Sequence, residues 1–142
     1  MRGGCWENHV YTVRIEAGFC ATHHVRLADG SVEPPHGHDW RVRAEFARAE
    51  LDDREMVVDF EAARAALCSI VAPLHHADLN EHPGLTGRNP TAEVVARHLF
   101  DRMRALGFCD IRRVEVTEAP GCVAAFGAEA YTRGGMQDSR TD

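Results

Sequence analysis

A strand is encoded around the sequence His36-Gly37-His38-Asp39-Trp40-Arg41-Val42-Arg43-Ala44-Glu45-Phe46. Apolar and polar residues alternate through its second half, so residues 39–46 are predicted to form a half-buried strand with Trp40, Val42, Ala44 and Phe46 on one face. Side chains two residues apart on a strand point to the same face. His36 and His38 are therefore expected to point the same way.

A third histidine makes this pair a candidate metal site. His23 follows residues 9–19, whose alternation predicts another strand. Three neutral imidazoles with an open fourth position make a catalytic zinc site rather than a structural one. The three histidines are therefore the first candidates for a metal centre.

The rest of the chain supplies two amphipathic helices and two further strands. Phe60 to Leu74 carries an apolar stripe at helical spacing, and a second stripe begins after Asn89-Pro90-Thr91 and ends at Gly107. Residues 21–35 and 75–88 are predicted to be loops, and residues 56–59 a short extended piece. The final strands are expected at residues 111–118 and 122–131, followed by a polar tail.

The predicted order is ββααββ, an α+β fold. A four-stranded antiparallel sheet with both helices on one face would bury the helix stripes. Residues 1–142 are expected to form a single domain, with a core over about 9–131 and a flexible tail over 132–142. The free edges of so small a sheet favour a homo-oligomer.

Composition narrows the function classes. The net charge of −6 argues against a nucleic-acid partner, and no apolar run is long enough to span a membrane. The first residues lack the apolar core of a signal peptide, so a cytoplasmic location is expected. Five cysteines without a CxxC pair indicate neither a disulfide framework nor a cysteine-rich metal site.

Six segments, in order along the chain, resemble the 6-pyruvoyltetrahydropterin synthase family, which includes the 6-carboxytetrahydropterin synthases of queuosine biosynthesis. They are similar to the family's F-x-A-x-H, H-G-H-x-aromatic, hydrophobic-D-F, L-D-H-x-x-L-N, N-P-T-x-E and V-x-E segments. In this chain they are Phe19–His23, His36–Trp40, Val57–Phe60, Leu74–Asn80, Asn89–Glu93 and Val116–Glu118.

The resemblance implies a fold and an assembly. The family's tunnelling fold has the ββααββ order, and its trimers close into twelve-stranded barrels that commonly stack as hexamers. Active sites at subunit boundaries are therefore expected here. The resemblance also implies that His23, His36 and His38 are zinc ligands, with zinc acting as a Lewis acid on substrate hydroxyls.

Substrate-binding residues are implied in the same way. Glu118 matches the family's pterin anchor, whose carboxylate accepts two parallel hydrogen bonds from the ring. Thr117 could add a contact. Glu93 is either a substrate contact or a first-turn carboxylate that favours the helix dipole.

The catalytic centre departs from the family's main pattern. The family's cysteine stands four residues before H-G-H, and that position is Val32 here. The next residue, Glu33, gives a sequence similar to the E-x-x-H-G-H signature of a subgroup that replaces the cysteine with glutamate. That subgroup's reaction is implied to be cleavage of dihydroneopterin triphosphate to 6-hydroxymethyl-dihydropterin. Glu33 would take a proton from a side-chain hydroxyl and so trigger retro-aldol cleavage.

A second departure concerns the proton relay. The family pairs an aspartate with a histidine, and the corresponding residues here are His75 and His76. His75 cannot supply the negative charge that stabilises a charged imidazole. Asp78 lies nearby and is a candidate substitute.

The leading hypothesis is thus a zinc-dependent pterin lyase with retro-aldol activity. A 6-carboxytetrahydropterin synthase reaction is the alternative within the family, and the missing cysteine discriminates against it. A repurposed member, with a cyclisation or lyase step in specialised metabolism, would also keep the histidines while losing the cysteine and aspartate. A pterin-binding zinc protein without turnover is the non-enzymatic alternative.

Overall fold

The computed structural model of the chain describes residues 9–128. The sheet takes its strands in the spatial order β3-β1-β2-β4-β5. Along the chain the elements are β1 (Tyr11–His23), β2 (His36–Arg48), α1 (Phe60–Val71), β3 (Ala77–Asp78), α2 (Ala92–Ala105), β4 (Ile111–Ala119) and β5 (Cys122–Gly127).

The α+β class and the ββααββ order of the long elements are confirmed. The four long strands pair antiparallel, but the sheet has a fifth strand that the four-stranded prediction lacks. This strand, β3, pairs parallel to the end of β1 within the predicted loop 75–88. Two residues are too short to produce an alternating pattern, so the sequence carried no signal for it.

Other boundaries also differ from the prediction. Residues 56–59 form an irregular connection with bends at 57 and 58 rather than an extended piece. The connection ends at Asp59, whose carboxylate caps α1 by accepting from the backbone N–H groups of Glu61 and Ala62. The predicted end of the last strand, residues 129–131, and the predicted tail, residues 132–142, lie outside the described residues.

The first strand is longer than predicted, and its extra length positions the histidines. β1 continues to His23 and pairs with β2 along its whole length. In this register His23 lies opposite His36, and Ala21 lies opposite His38. The two strands therefore deliver all three histidines to one end of the sheet.

One face of the sheet packs against both helices. Trp40, Val42, Ala44 and Phe46 are buried on this face, as predicted. The helices contribute a further set of fully buried side chains: Ala63, Leu67, Val95, Ala96, Leu99 and Met103. The alternation of side chains places His36, His38 and Glu118 on the same face as this core. No helix among residues 9–128 has the length and apolar character needed to cross a bilayer.

Candidate active site

The three predicted metal-binding histidines lie together where β1 ends and β2 begins. Their ring centroids are 4.8 Å apart for His23 and His36, 5.3 Å for His23 and His38, and 4.7 Å for His36 and His38. His23 is 1% exposed and is the one polar residue buried in the described part of the chain. A buried histidine needs a partner for each ring nitrogen.

Backbone carbonyls orient two of the rings. His23 Nδ1 lies 2.8 Å from the carbonyl oxygen of Pro90, and His36 Nδ1 lies 2.9 Å from that of Pro34. A carbonyl oxygen only accepts, so each Nδ1 carries the proton and donates it. The Nε2 atom of each neutral ring then keeps its lone pair for a metal, the arrangement in which a hydrogen bond on one nitrogen selects the other as ligand.

The remaining nitrogens fit a bound cation. His23 Nε2 and His38 Nε2 are buried and have no hydrogen-bond partner. Burial lowers the pKa of His38, with the charge of Glu118 opposing this effect, so its neutral, metal-binding form is favoured. Imidazole nitrogens are ordinary zinc ligands, and unpartnered buried ones accord with a zinc ion bound among them.

Glu118 belongs to the same cluster. Its Oε1 atom lies 2.9 Å from His23 Nε2 and 3.7 Å from His38 Nε2. The shorter contact is within ion-pair distance but does not have the geometry of a hydrogen bond. His23 Nε2 therefore has no hydrogen-bond partner. One ligand atom from each of the three histidines and Glu118 lies within 4.8 Å of the others. The sequence predicted Glu118 as a ring anchor and gave no sign of this proximity.

Glu33 also points toward the cluster. Its Oε1 atom lies 3.7 Å from His36 Nε2. The backbone N–H of Glu33 donates to Val25, and the adjacent pair Arg26 and Val32 forms an antiparallel bridge. Neighbouring residues on such a ladder face opposite sides, so Val32 points away from the histidines. Val32 as a whole is 55% exposed.

An open pocket of about 430 Å³ adjoins the histidines. Three carboxylates reach it, those of Glu33, Glu93 and Glu118, and none of the described residues that line it is Arg or Lys. The other lining residues were not predicted from the sequence, and they are Val25, Thr91, Ala92, Cys122, Val123 and Ala124. The pocket is acidic, so it suits a ligand that presents N–H donors.

Two asparagines from the quoted motifs hold the loop after β1. The side-chain amide of Asn80 bonds both the N–H and the C=O of His24, at 2.9 and 3.0 Å. Asn89 does the same for Arg26, at 2.9 and 3.2 Å. Each side-chain amide bonds both backbone groups of one residue, as the backbone of a neighbouring strand would. These bonds fix the path of the chain between His23 and Glu33.

Trp40 supports the cluster from the core side. It is 1% exposed, and its Nε1 donates to the carbonyl oxygen of Ala21 over 3.2 Å. Its ring meets the rings of His23 and His38 edge-on, with centroids 4.9 and 5.7 Å away. The apolar ring restricts the positions that both imidazoles can take.

Thr117 does not join the site. It neighbours Glu118 on β4 and therefore faces the other side of the sheet. There it lines a different pocket together with Asp39, Arg41 and His75. A substrate contact from Thr117 in the pocket of its own chain is not supported by this placement.

His75, His76 and Asp78 lie at the β3 edge, apart from the acidic pocket. His75 Nδ1 accepts from the N–H of Cys20, and the N–H of His76 donates to the carbonyl of Cys20. Asp78 accepts from the N–H of Asn80 in its own turn. His76 and Asp78 line a pocket that His38 also lines. Glu33 is not among the residues that line this pocket in one chain.

Comparisons with known proteins agree with this fold. The profile of the family described as 6-pyruvoyl tetrahydropterin synthase matches residues 12–129. The 6-carboxy-5,6,7,8-tetrahydropterin synthase of Bacillus subtilis is 29% identical over 131 residues, which cover 87% of this chain and 84% of that protein.

Solved structures show the same architecture. The 6-pyruvoyl tetrahydropterin synthase of Caenorhabditis elegans superimposes with a TM-score of 0.75 at 15% identity, over 85% of this chain and 97% of the other. A Plasmodium vivax 6-pyruvoyltetrahydropterin synthase with a catalytic glutamate replaced by alanine gives a TM-score of 0.65 at 14% identity, over 83% and 97%. At these identities the likeness shows the fold.

Proposed function

The chain belongs to the 6-pyruvoyl tetrahydropterin synthase family, and from that premise we propose that it is a zinc-dependent pterin lyase. The reaction proposed is retro-aldol cleavage of dihydroneopterin triphosphate to 6-hydroxymethyl-dihydropterin. The observation that carries this proposal is the placement of Glu33, whose carboxylate lies 3.7 Å from His36 Nε2. Val32, at the position of the family's cysteine, faces away and has no thiol.

The three histidines hold the zinc ion in this proposal. A bound zinc ion supplies Lewis acidity, which lowers the pKa of substrate hydroxyl groups and stabilises the oxyanion that develops. The buried, unpartnered Nε2 atoms of His23 and His38 support this ligand set. The group of candidate ligands contains all three histidines that the resemblance implies, which supports this assignment.

Glu33 acts as the general base. It takes the proton of the hydroxyl on the second side-chain carbon, that carbon becomes an aldehyde, and its bond to the first side-chain carbon breaks. The electron pair passes into the ring imine, and a proton returns to the first carbon. The products are 6-hydroxymethyl-dihydropterin and glycolaldehyde triphosphate, which together account for every atom of the substrate.

The acidic pocket orients the substrate. Carboxylates of Glu118 and Glu93 accept hydrogen bonds from the amino group and ring N–H of a pterin, and a bidentate contact of this kind fixes the ring plane. The same carboxylates repel phosphate groups. The ring therefore lies in the pocket, and the triphosphate extends outside it.

We further propose that the enzyme is a homo-oligomer, a trimer or a hexamer. The sheet of residues 9–128 ends in β3 on one side and β5 on the other, so both leave backbone groups for a second copy to pair with. His75, His76 and Asp78 lie apart from Glu33 within one chain. A proton relay through them would serve the site of a neighbouring subunit.

The second candidate function is 6-carboxytetrahydropterin synthesis. The 29% identity to the Bacillus subtilis enzyme favours it. The lack of a thiol at the position of the family's cysteine, which is Val32 here, counts against it. Cys20 lies on the other face of the sheet, where its thiol donates to Asp39. Cys122 lines the pocket from β5 and does not occupy the family's position.

The deciding experiment is anaerobic incubation of zinc-loaded protein with dihydroneopterin triphosphate, followed by mass spectrometry. A 6-hydroxymethyl-dihydropterin product that disappears in Glu33→Gln supports the proposal. A 6-carboxy or 6-pyruvoyl product overturns it in favour of the synthase reaction. Unchanged substrate, with binding retained, supports a repurposed enzyme or a pterin-binding protein.

A further inference from the structure

We propose that protonation of His98 on α2 loosens the loop of residues 79–90, which rests on its ring, and so releases the chain segment that follows β1. The contact between this loop and the helix thereby makes the shape of the candidate site sensitive to acid. The proposal is independent of the proposed function, because neither His98 nor the part of the loop that it touches lines the acidic pocket.

The loop lies directly on the imidazole ring of His98. The ring centroids of His98 and His82 are 5.6 Å apart, and the two rings meet edge to face. A Cβ atom at Gly84 would lie 2.5 Å from Cε1 of His98, so only glycine leaves room for the ring at this point. The N–H of Gly84 donates to Nδ1 of His82 over 3.1 Å, which holds the turn together. The loop therefore covers one side of a half-buried histidine.

The surroundings of His98 disfavour its charged form. Among residues 9–128 no group forms a hydrogen bond with its ring. Burial is the main cause that lowers its pKa, and His82 of the loop and Arg102 of α2 lower it further. Asp101 of α2 opposes them, but this carboxylate lies 3.6 Å from Arg97. The ring therefore binds a proton more tightly once the loop has moved away and water reaches it.

The same loop holds the chain segment that follows β1. The side-chain amide of Asn80 bonds both backbone groups of His24, and that of Asn89 bonds both backbone groups of Arg26. These two asparagines flank the part of the loop that contacts α2. Loosening of that part weakens both pairs of hydrogen bonds, and the segment that leads away from the histidine cluster loses its support.

The release is local rather than a general unfolding. Leu79 and Leu85 of the same loop are 0% and 2% exposed, so they keep the loop attached to the core. The part between them carries His82 and Gly84 and leaves the helix alone. Local openings of this kind need less free energy than unfolding of the whole domain.

Hydrogen exchange of the full chain tests the release directly. The amides of His24 and Arg26 donate to the two asparagines, so they report on the loop, and amides inside α1 report on general unfolding. Exchange rates, divided by the intrinsic rate at each pH, are compared at about pH 7.5 and about pH 5, on either side of an ordinary histidine pKa. A chelator in every sample prevents loss of metal in acid from contributing.

In wild type the corrected exchange of the two reporter amides should rise about three- to tenfold at the lower pH, since one unit of pKa shift corresponds to a tenfold change in equilibrium. His98→Gln, which cannot be charged, should remove this rise. His9→Gln is the matched control, because it removes an exposed histidine before the start of β1 and should keep the rise. The proposal is wrong if the reporter amides do not respond, if His98→Gln keeps the response, or if the amides of α1 respond equally.

A second variant imitates the acid form at neutral pH. Gly84→Ala places a methyl group against the ring of His98 and should push the loop away. Its reporter amides should therefore exchange faster than those of wild type at about pH 7.5 and change less on acidification. Reporter amides that are as protected in Gly84→Ala as in wild type would overturn the proposal. This comparison, and the response of wild type, remain decisive even where His98→Gln fails to fold.

Discussion

His23 Nδ1 donates a hydrogen bond of 2.8 Å to the carbonyl oxygen of Pro90, which joins the histidine cluster of the sheet to the start of α2. Pro90 immediately precedes Thr91, whose hydroxyl caps the helix by accepting from the N–H of Val94 at 3.3 Å. The cap therefore holds in place the carbonyl that orients a proposed metal ligand.

Thr91→Ala is expected to weaken both the helix and the metal site. Loss of an N-cap hydroxyl costs about 1 kcal/mol of stability. The freed Pro90 carbonyl should then orient His23 less well, so zinc affinity should fall too. Urea unfolding and chelator competition measure the two effects, and Thr91→Ser, which keeps the hydroxyl, is the control. Unchanged zinc affinity in Thr91→Ala would show that the cap and the cluster are independent.

His36→Ala is expected to release zinc and abolish lyase activity. It removes one imidazole of three, and Glu33 does not belong to the group of candidate metal ligands. Metal content after gel filtration, measured by elemental analysis, checks the prediction. His24→Ala is the control, since His24 is adjacent in sequence to His23 but lies outside the cluster. Retained stoichiometric zinc in His36→Ala would contradict the assignment.

The sequence was sufficient for the parts of the site that depend on local patterns. Alternation along β2 placed His36 and His38 on one face, and Glu33 was found three residues upstream. The same alternation, applied to β4, places Thr117 on the face opposite to the one that carries Glu118, so the sequence could also have shown that these two residues face different pockets of one chain.

Other features depend on tertiary contacts that no local pattern encodes. The contact between His23 and Pro90 spans 67 residues. The proximity of Glu118 to His23 depends on β2 lying between β1 and β4. The two-residue strand β3 owes its conformation to pairing with β1, because its own sequence has no strand signal. Asn80 and Asn89 belong to the motifs quoted from the sequence. Their hydrogen bonds to the backbone of the loop after β1 could not be predicted, because that loop is distant from them in the sequence.

Exchanging the two residues at positions 32 and 33 tests which one faces the histidines. The double variant Val32→Glu with Glu33→Val keeps the composition but turns the carboxylate outward. We expect its turnover to fall about 10²–10⁴-fold, the usual effect of losing a general base. Glu33→Asp, which keeps an inward carboxylate, should retain more activity than the exchange. Product formation from dihydroneopterin triphosphate measures both, and full activity in the exchanged protein would rule out the inward placement of Glu33.

Trp40→Phe is expected to loosen the cluster without removing a ligand. It deletes the hydrogen bond from Nε1 to the carbonyl of Ala21, at a cost of about 0.5–1.5 kcal/mol. The rings of His23 and His38 also lose part of the surface that they pack against. Unfolding free energy and zinc affinity should both fall. Phe19→Leu is the control, because Phe19 also packs on the ring of Trp40 but does not belong to the metal cluster.

His98 on α2 should make stability depend on pH. Burial is the main cause that lowers its pKa, and the nearby His82 and Arg102 lower it further, while Asp101 opposes them. The unfolded chain, with an ordinary histidine pKa of about 6.5, therefore binds a proton more readily than the folded protein does. The contribution is fully present above pH 6.5 and is lost as pH falls from there through the folded-state pKa. His98→Gln should flatten the pH dependence of the unfolding free energy in this window, measured by urea unfolding with a chelator present. His76→Gln, at an exposed histidine, is the comparison, and equal slopes for wild type and His98→Gln would show that His98 does not titrate with folding.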